Sequence, residues 1–128
     1  KPVFILRRTE EMLASLPEQD GRLADPNSEA PQQPAYAANA ERAINPEIAI
    51  LVGICTHLGC SPQFRPEVAA ADLGGDWLGG YFCPCHGSKF DLAGRVYKNV
   101  PAPTNLVIPP HSYESDSVVV IGVDEENA

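Results

Sequence analysis

Two short stretches decide how this chain folds: C-T-H-L-G-C at residues 55–60 and C-P-C-H-G-S at residues 83–88. Each stretch holds one cysteine and one histidine at the close spacing of metal ligands, namely Cys55, His57, Cys83 and His86. Two thiolates and two imidazoles suit a mixed-ligand [2Fe-2S] centre, in which the cysteines bind one iron and the histidines the other. A further cysteine in each stretch is then left for another role.

The same donors allow other uses. A plant-type ferredoxin shares the C-x4-C spacing of Cys55 and Cys60, but its third cysteine follows after two residues. Here the next cysteine is Cys83, so this pattern is excluded. A nucleophilic cysteine is disfavoured because four clustered cysteines indicate a cofactor or disulfides. A structural zinc ion in a tetrahedron of two cysteines and two histidines remains an alternative from spacing alone.

The composition is that of one globular domain over residues 1–128, with 44% hydrophobic and 20% charged residues. Thirteen prolines and ten glycines favour a β protein or a cofactor scaffold over a helical bundle. The net charge of −8 excludes nucleic acid as a partner, since phosphate binding needs a basic surface.

The apolar pattern predicts strands at residues 2–8, 48–54, 77–82 and 117–123, and a hairpin over 88–97 that turns near Ala93 and Gly94. A short helix begins after Thr9, whose hydroxyl can cap it. We expect Arg7, Arg8 and Arg42 to be solvated charges and His111 to be a surface residue without a ligand role.

No apolar stretch reaches the roughly 20 residues that a membrane span requires. The chain begins with Lys1 and not with an initiator methionine, so we expect it to be processed or truncated. A targeting or anchoring segment would then lie upstream.

Together, the two stretches resemble the Rieske iron–sulfur proteins, whose C-T-H-L-G-C and C-P-C-H-G-S pattern they match at every position. The resemblance implies an all-β Rieske fold, with a base of antiparallel sheets and an inserted cluster-binding subdomain over residues 53–103. It implies one [2Fe-2S] cluster of the Rieske type. On this interpretation the buried iron is bound by Cys55 and Cys83, and the outer iron by His57 and His86.

The resemblance also implies a disulfide between Cys60 and Cys85, as in the respiratory and photosynthetic members of the family. A disulfide persists in an oxidising compartment, which predicts the periplasmic side of a bacterial inner membrane.

Downstream, G-R-V-Y-K at residues 94–98 and the run Pro101-Ala102-Pro103 resemble the iron–sulfur subunit of ubiquinol–cytochrome c reductases, the cytochrome bc1 complexes. That resemblance implies a redox subunit that takes an electron from ubiquinol at the cytochrome b subunit and passes it to a c-type cytochrome. It also implies a membrane anchor before Lys1. The redox alternatives are the Rieske subunit of an arsenite oxidase and a Rieske ferredoxin; the non-redox alternative is a zinc-stabilised interaction module.

Five residues or groups around the cluster take roles by the same resemblance. His86 hydrogen-bonds the quinol and accepts its proton and electron, while Leu58 and the run Pro101-Ala102-Pro103 shield the cluster tip. The Ser88 hydroxyl hydrogen-bonds a bridging sulfide. Phe90 stands where the common mitochondrial pattern has a tyrosine that donates to a ligand sulfur, so we expect a lower reduction potential than in a tyrosine-bearing relative.

Overall fold

Antiparallel strand pairs form the framework of the protein, which a computed structural model describes over residues 1–124. The elements in chain order are β1 Val3–Arg7, α1 Glu10–Ser15, β2 Ile48–Val52, β3 Gln63–Arg65, β4 Gly80–Phe82, β5 Lys89–Phe90, β6 His111–Ser115 and β7 Val118–Ile121. Hydrogen bonds join the strands into three antiparallel sheets: β1–β2, β3–β4–β5 and β6–β7. The all-β prediction is confirmed for this part of the chain.

Strand β2 delivers the chain into the first of the two stretches. It pairs with β1 from Val3 opposite Val52 to Arg7 opposite Ile48. Residues 49–52 are all buried, which explains their unbroken apolar run. Gly53 follows at once, and a Cβ atom there would overlap the ring of Phe4 unless that side chain moved.

The helix α1 begins where the sequence predicts. The Thr9 hydroxyl accepts a hydrogen bond from the backbone N–H of Met12 at 3.2 Å, which satisfies one of the free N–H groups of the first turn. Leu16, just after the helix, is buried with Leu92. The helix therefore covers the base next to the 91–95 turn.

The sheet β3–β4–β5 lies beneath the second stretch. Tyr81 of β4 stands opposite Phe90 of β5, and both are buried. A Cβ on Gly80 would overlap the carbonyl oxygen of Phe90, so glycine is required where the two strands approach. These two aromatic residues share one apolar cluster with Cys55 and Cys83. The main core thus extends directly to the candidate ligands.

The expectation of solvated arginines is wrong for Arg8 and Arg42, which are 2% and 1% exposed. Arg42 donates to the carbonyl oxygens of Ala93 at 2.9 Å and Leu106 at 2.8 Å. Burial lowers the pKa of Arg42 to about 10. These carbonyl dipoles replace the water that the guanidinium loses, so the charge can be kept inside.

The surface assignment of His111 is also wrong. It is 2% exposed, its Nδ1 lies 2.8 Å from the carbonyl oxygen of Pro109, and its ring packs edge-on against Tyr36. His111 begins β6, a strand that the sequence pattern H-S-Y-E-S does not reveal. The predicted strand over 117–123 is found as β7, the partner of β6.

No helix within residues 1–124 is long and apolar enough to cross a membrane.

Candidate metal centre

Residues 55–60 and 83–88, the first and second ligand loops, close with the same two backbone hydrogen bonds. In the first loop the Cys55 N–H donates to the Cys60 carbonyl at 2.6 Å, and the Gly59 N–H donates to the Cys55 carbonyl at 3.1 Å. In the second loop the corresponding bonds, from Cys83 to Ser88 and from Gly87 to Cys83, are 2.8 and 2.9 Å.

The two glycines occupy equivalent positions in these loops. Gly59 has φ of 82° and Gly87 has φ of 83°, in the left-handed region that side chains with a Cβ rarely adopt. Each loop is therefore a tight frame that starts at a candidate cysteine ligand and reverses at a glycine.

The two candidate cysteine ligands are the free thiols of the described chain. Cys55 and Cys83 are 3% and 2% exposed, and neither is in a disulfide. Burial raises the pKa of the Cys55 thiol. Hydrogen bonds with the His57 backbone and the Ser88 hydroxyl act in the opposite direction, but the effect of burial on the pKa is larger. The thiol is therefore protonated in the absence of metal, and metal binding must displace its proton.

The two candidate histidine ligands lie next to each other, with the edge of one ring toward the other. The ring centroids of His57 and His86 are 4.9 Å apart, with the ring planes at 83°. The Nδ1 atom of His57 is buried and has no hydrogen-bond partner. A buried nitrogen lone pair without a partner is costly in a purely structural histidine and is what a metal ligand requires. His86 is exposed, so this pair lies between the buried thiols and the solvent.

A disulfide joins Cys60 of the first loop to Cys85 of the second. The predicted pairing is confirmed. The bond links the two frames close to the Cys83 thiol, since the sulfur atoms of Cys60, Cys83 and Cys85 lie within 4.8 Å of one another. It leaves two cysteines and two histidines as candidate ligands.

The geometry does not favour a single zinc ion. Among residues 1–124, the potential ligand atoms that lie within 4.8 Å of one another in a group of three belong to Cys60, Cys83 and Cys85, two of which are bonded together. The four predicted ligands do not form such a group. The ligand atoms around one tetrahedral zinc ion would lie roughly 3.3–3.8 Å apart, given the usual bond lengths. The wider arrangement fits a two-iron group better than one ion.

Hydrogen bonds join the proline loop, residues 101–103, and the adjoining Thr104 to both ligand loops. The Ala102 N–H donates to the Ser88 hydroxyl oxygen at 2.9 Å. The Thr56 hydroxyl donates to the Thr104 carbonyl at 2.7 Å. With the disulfide, these contacts connect each of the three loops to the other two.

Sequence reasoning missed Thr56 and Asn105 as members of this arrangement. Asn105 is fully buried; its side chain accepts from the Val96 N–H at 2.8 Å and donates to the Asp25 carbonyl at 3.2 Å. It therefore fixes the end of the proline loop to the base. The sequence shows Asn105 as a polar residue two positions after Pro103, but nothing in the sequence indicates the hydrogen-bond partners of its side chain.

The remaining predicted residues lie around the loops. Leu58 is 68% exposed beside His57, so an apolar side chain projects at the tip. Phe90 is fully buried in the cluster that contains Cys55 and Cys83, and its ring has no group to donate. Pro101 and Pro103 are exposed and Ala102 is buried between them.

Comparison with known proteins agrees with this geometry. The family model of the Rieske [2Fe-2S] domain matches residues 30–112, which include both ligand loops and the proline loop.

Named relatives match over nearly the whole chain. The ubiquinol–cytochrome c reductase iron–sulfur subunit of Allochromatium vinosum is 59% identical over 128 residues, which are 100% of this chain and 62% of that protein. The mitochondrial cytochrome b-c1 complex subunit Rieske-3 of Nicotiana tabacum is 44% identical over 123 residues, 95% of this chain and 38% of the relative. A mitochondrial Rieske subunit of the same complex from Theropithecus gelada is 42% identical over 122 residues, 95% of this chain and 38% of the relative. The chain thus spans less than two thirds of the length of these relatives.

Proposed function

Since the chain belongs to the Rieske [2Fe-2S] domain family, we propose that it is a one-electron carrier, the head of a quinol–cytochrome c reductase iron–sulfur subunit. A family member of this kind holds one [2Fe-2S] cluster. The observation that carries the proposal is the combination of two buried free thiols, Cys55 and Cys83, with the adjacent imidazoles of His57 and His86, which are more exposed. When bound, the cluster supplies a centre that takes up and releases a single electron, at roughly −150 to +300 mV for mixed histidine–cysteine ligation.

The ligand assignment is part of the proposal. Cys55 and Cys83 bind the inner iron, and His57 and His86 bind the outer iron. The burial of both thiols and the unpartnered Nδ1 of His57 support this division. The protein around the ligands keeps water from the sulfur side, because the apolar cluster of Tyr81, Phe90 and Leu106 packs against them.

The outer face of the site is suited to a quinol. The exposed ring of His86 can accept a hydrogen bond from a quinol hydroxyl and take its proton as the electron leaves. Leu58 and the proline loop surround that position with apolar surface. We propose that the cytochrome b subunit completes the quinol pocket, so the isolated head transfers electrons without oxidising quinol.

The partners and the compartment follow from the same proposal. The names of the relatives refer to ubiquinol–cytochrome c reductase and the cytochrome b-c1 complex, which supports cytochrome b as the neighbour and a c-type cytochrome as the acceptor. The disulfide supports an oxidising compartment, so we place the head on the periplasmic side of the membrane, held by an anchor outside this chain. Residues 53–103 form its cluster-binding lobe.

The test is reconstitution of the chain with ferric iron and sulfide under anaerobic conditions, followed by one-electron reduction with dithionite. We expect about two irons and two sulfides per chain, a coloured protein and a paramagnetic reduced state with a low average g value. The Cys83→Ser variant should lose the cluster, whereas the double variant Cys60→Ser/Cys85→Ser should assemble it and hold it less firmly. A colourless protein that binds one zinc ion per chain, or a full cluster in the Cys83→Ser variant, would contradict the proposal.

A further inference from the structure

A basic cavity lies beside the ligand loops, between the base and the loop that precedes the proline loop. Its volume is about 470 Å³. The charged and aromatic side chains that line it are Arg22, Asp76, Trp77, Lys89, Tyr97 and Lys98. Three cations therefore share one cavity with a single carboxylate, in a chain whose net charge is −8.

This concentration of positive charge is unusual on the molecule. Arg8, Arg42 and Arg95 are buried, while Arg7 and Arg65 pair with carboxylates. In the cavity itself Arg22 pairs with Asp76 at 3.5 Å, so the excess positive charge there is that of the two lysines. Within residues 1–124, neither Lys89 nor Lys98 forms a salt bridge. Two of the nine basic residues thus present uncompensated ammonium groups to the same cavity.

The backbone holds the three cationic residues in register. The Lys98 N–H donates to the Arg22 carbonyl at 2.8 Å, and the Tyr97 N–H donates to the Lys89 carbonyl at 3.0 Å. Backbone hydrogen bonds therefore join residues 97–98 to Arg22 on one side and to Lys89 on the other. Only the side chains of these residues have to be ordered on binding, which lowers the entropic cost of a contact.

The wall of the cavity is rigid and aromatic. The rings of Trp77 and Tyr97 lie with their centroids 5.9 Å apart. Their polar atoms are already used: the Trp77 indole N–H donates to the Arg65 carbonyl at 3.1 Å, and the Tyr97 hydroxyl donates to the Gln19 side chain at 2.9 Å. A negatively charged group that enters would therefore be recognised by the cations and not by the aromatic residues.

The cavity is continuous with the site in sequence. Lys89 follows Ser88 of the second ligand loop, and Val100, which also lines the cavity, precedes the proline loop. The cavity therefore adjoins, along the chain, both the second ligand loop and the proline loop.

We propose that the basic cavity receives carboxylate side chains of the protein to which this head passes its electron. The inference rests on the proposed function as a carrier. The rest of the surface is acidic and repels an acidic partner, whereas the cavity attracts it. This contrast between repulsion and attraction would also fix the orientation in which the partner meets the tip. The cations are open to solvent at Arg22 and Lys98, as a protein surface would require.

The experiment measures the second-order rate of electron transfer from the reduced, cluster-loaded chain to two soluble c-type cytochromes, one of net negative and one of net positive charge. The variant is Lys98→Glu, and its matched control is Arg7→Glu on β1, which changes the net charge equally. With the acidic cytochrome at low salt, we expect Lys98→Glu to slow transfer about fivefold more than Arg7→Glu, and Lys98→Gln to have a smaller effect in the same direction. The difference should vanish at about 1 M salt, where charges are screened beyond about 3 Å.

Three results would overturn the docking contact. Equal slowing by Lys98→Glu and Arg7→Glu would overturn the docking contact while leaving the carrier function intact, because electrons still pass. Inhibition of the unmodified protein by inorganic phosphate at millimolar concentration, at constant ionic strength, would overturn it in favour of a site for a free anion. If the unmodified chain transfers no electron to either cytochrome, the proposed function fails, and with it the premise of the inference.

Discussion

The two ligand loops are built on one backbone frame but place different side chains on it. Both start at a buried cysteine, reverse at a glycine with φ near 82° and close with equivalent hydrogen bonds. The histidine is the third residue of the first loop and the fourth of the second, so His57 is half-buried and His86 is exposed. The frame therefore fixes the cysteines equivalently, while a shift of one position decides which imidazole meets the solvent.

The sixth residue of each loop makes the second difference. Cys60 binds Cys85 through sulfur, whereas Ser88 accepts from the Ala102 N–H of the proline loop. The first loop reaches that segment through the Thr56 hydroxyl instead. One frame thus carries two kinds of cross-link, one covalent and one hydrogen-bonded, and their strengths should differ.

The disulfide is expected to have the largest effect on stability. It closes a loop with a sequence separation of 25 residues, for which the chain-entropy relation gives about 3.5 kcal/mol. Cys60→Ser, Cys85→Ser and the double variant should each lower the free energy of unfolding by a similar amount, because either substitution removes the whole bond. Denaturant titration of the cluster-free protein measures this. A double variant as stable as the unmodified chain would show that the disulfide does not stabilise the fold.

The two glycines test whether the frames are equivalent. Neither Gly59 nor Gly87 has an atom within 4 Å of a Cβ placed on it, so an alanine meets no clash and the cost comes from φ alone. Gly59→Ala and Gly87→Ala should each cost about 1–2 kcal/mol, by the same measurement. Gly75→Ala is the control, since it also has open space and no positive φ, and it should be neutral or slightly stabilising. Clearly unequal costs for the first two would show that the frames differ energetically.

The hydrogen bond between the Thr56 hydroxyl and the Thr104 carbonyl, next to the proline loop, should contribute less to stability than the disulfide or the glycines. Thr56→Val keeps the shape of the side chain and loses the donor to the Thr104 carbonyl, so we expect a loss of about 1 kcal/mol. Hydrogen exchange of the amides near the proline loop should also become faster. Thr56→Ser retains the hydroxyl and should keep most of the protection. Equal exchange in the valine and serine variants would mean that the hydroxyl does not hold the loop.

The substitution Phe90→Tyr is expected to have the smallest effect, because it adds one hydrogen-bond donor and alters no loop. The ring lies in the buried cluster with Cys55 and Cys83. We expect the hydroxyl introduced by Phe90→Tyr to donate to a ligand sulfur, as in the mitochondrial pattern, and so to stabilise the more negative reduced form. If the hydrogen bond favours that form by about 1 kcal/mol, the reduction potential rises by about 40 mV. Voltammetry of the loaded protein measures the shift, with Tyr81→Phe as a control that removes a buried hydroxyl elsewhere in the same cluster. A constant or lower potential in Phe90→Tyr would contradict this tuning role.

Local patterns in the sequence indicate the candidate ligands more directly than they indicate the base. Cys55, His57, Cys83 and His86 lie in two compact motifs, so local spacing was enough to bring each pair together, whereas the Cys60–Cys85 pairing came from a family resemblance and not from spacing. The strands β1 and β2 and the capped helix carried clear local signals, and all three are confirmed.

The base depends on contacts between distant residues, and there local patterns were misleading. Arg42 appeared solvated because nothing near it in sequence reveals that the Ala93 and Leu106 carbonyls, 51 and 64 residues away, would bind its guanidinium. His111 stood in a polar pentapeptide whose strand exists only because β7 pairs with it. Short strands with mixed composition take their structure from their partners, so their sequence alone does not identify them.

We propose that one iron is bound by two cysteines and the other by two histidines from equivalent loops. Pulsed electron paramagnetic resonance of the reduced, reconstituted chain with ¹⁵N-labelled histidine measures this ligation. We expect strong couplings to two directly bound nitrogens, and the loss of one of them in each of the variants His57→Cys and His86→Cys. A paramagnetic cluster without histidine nitrogen coupling in the unmodified protein would show that histidine does not bind the iron.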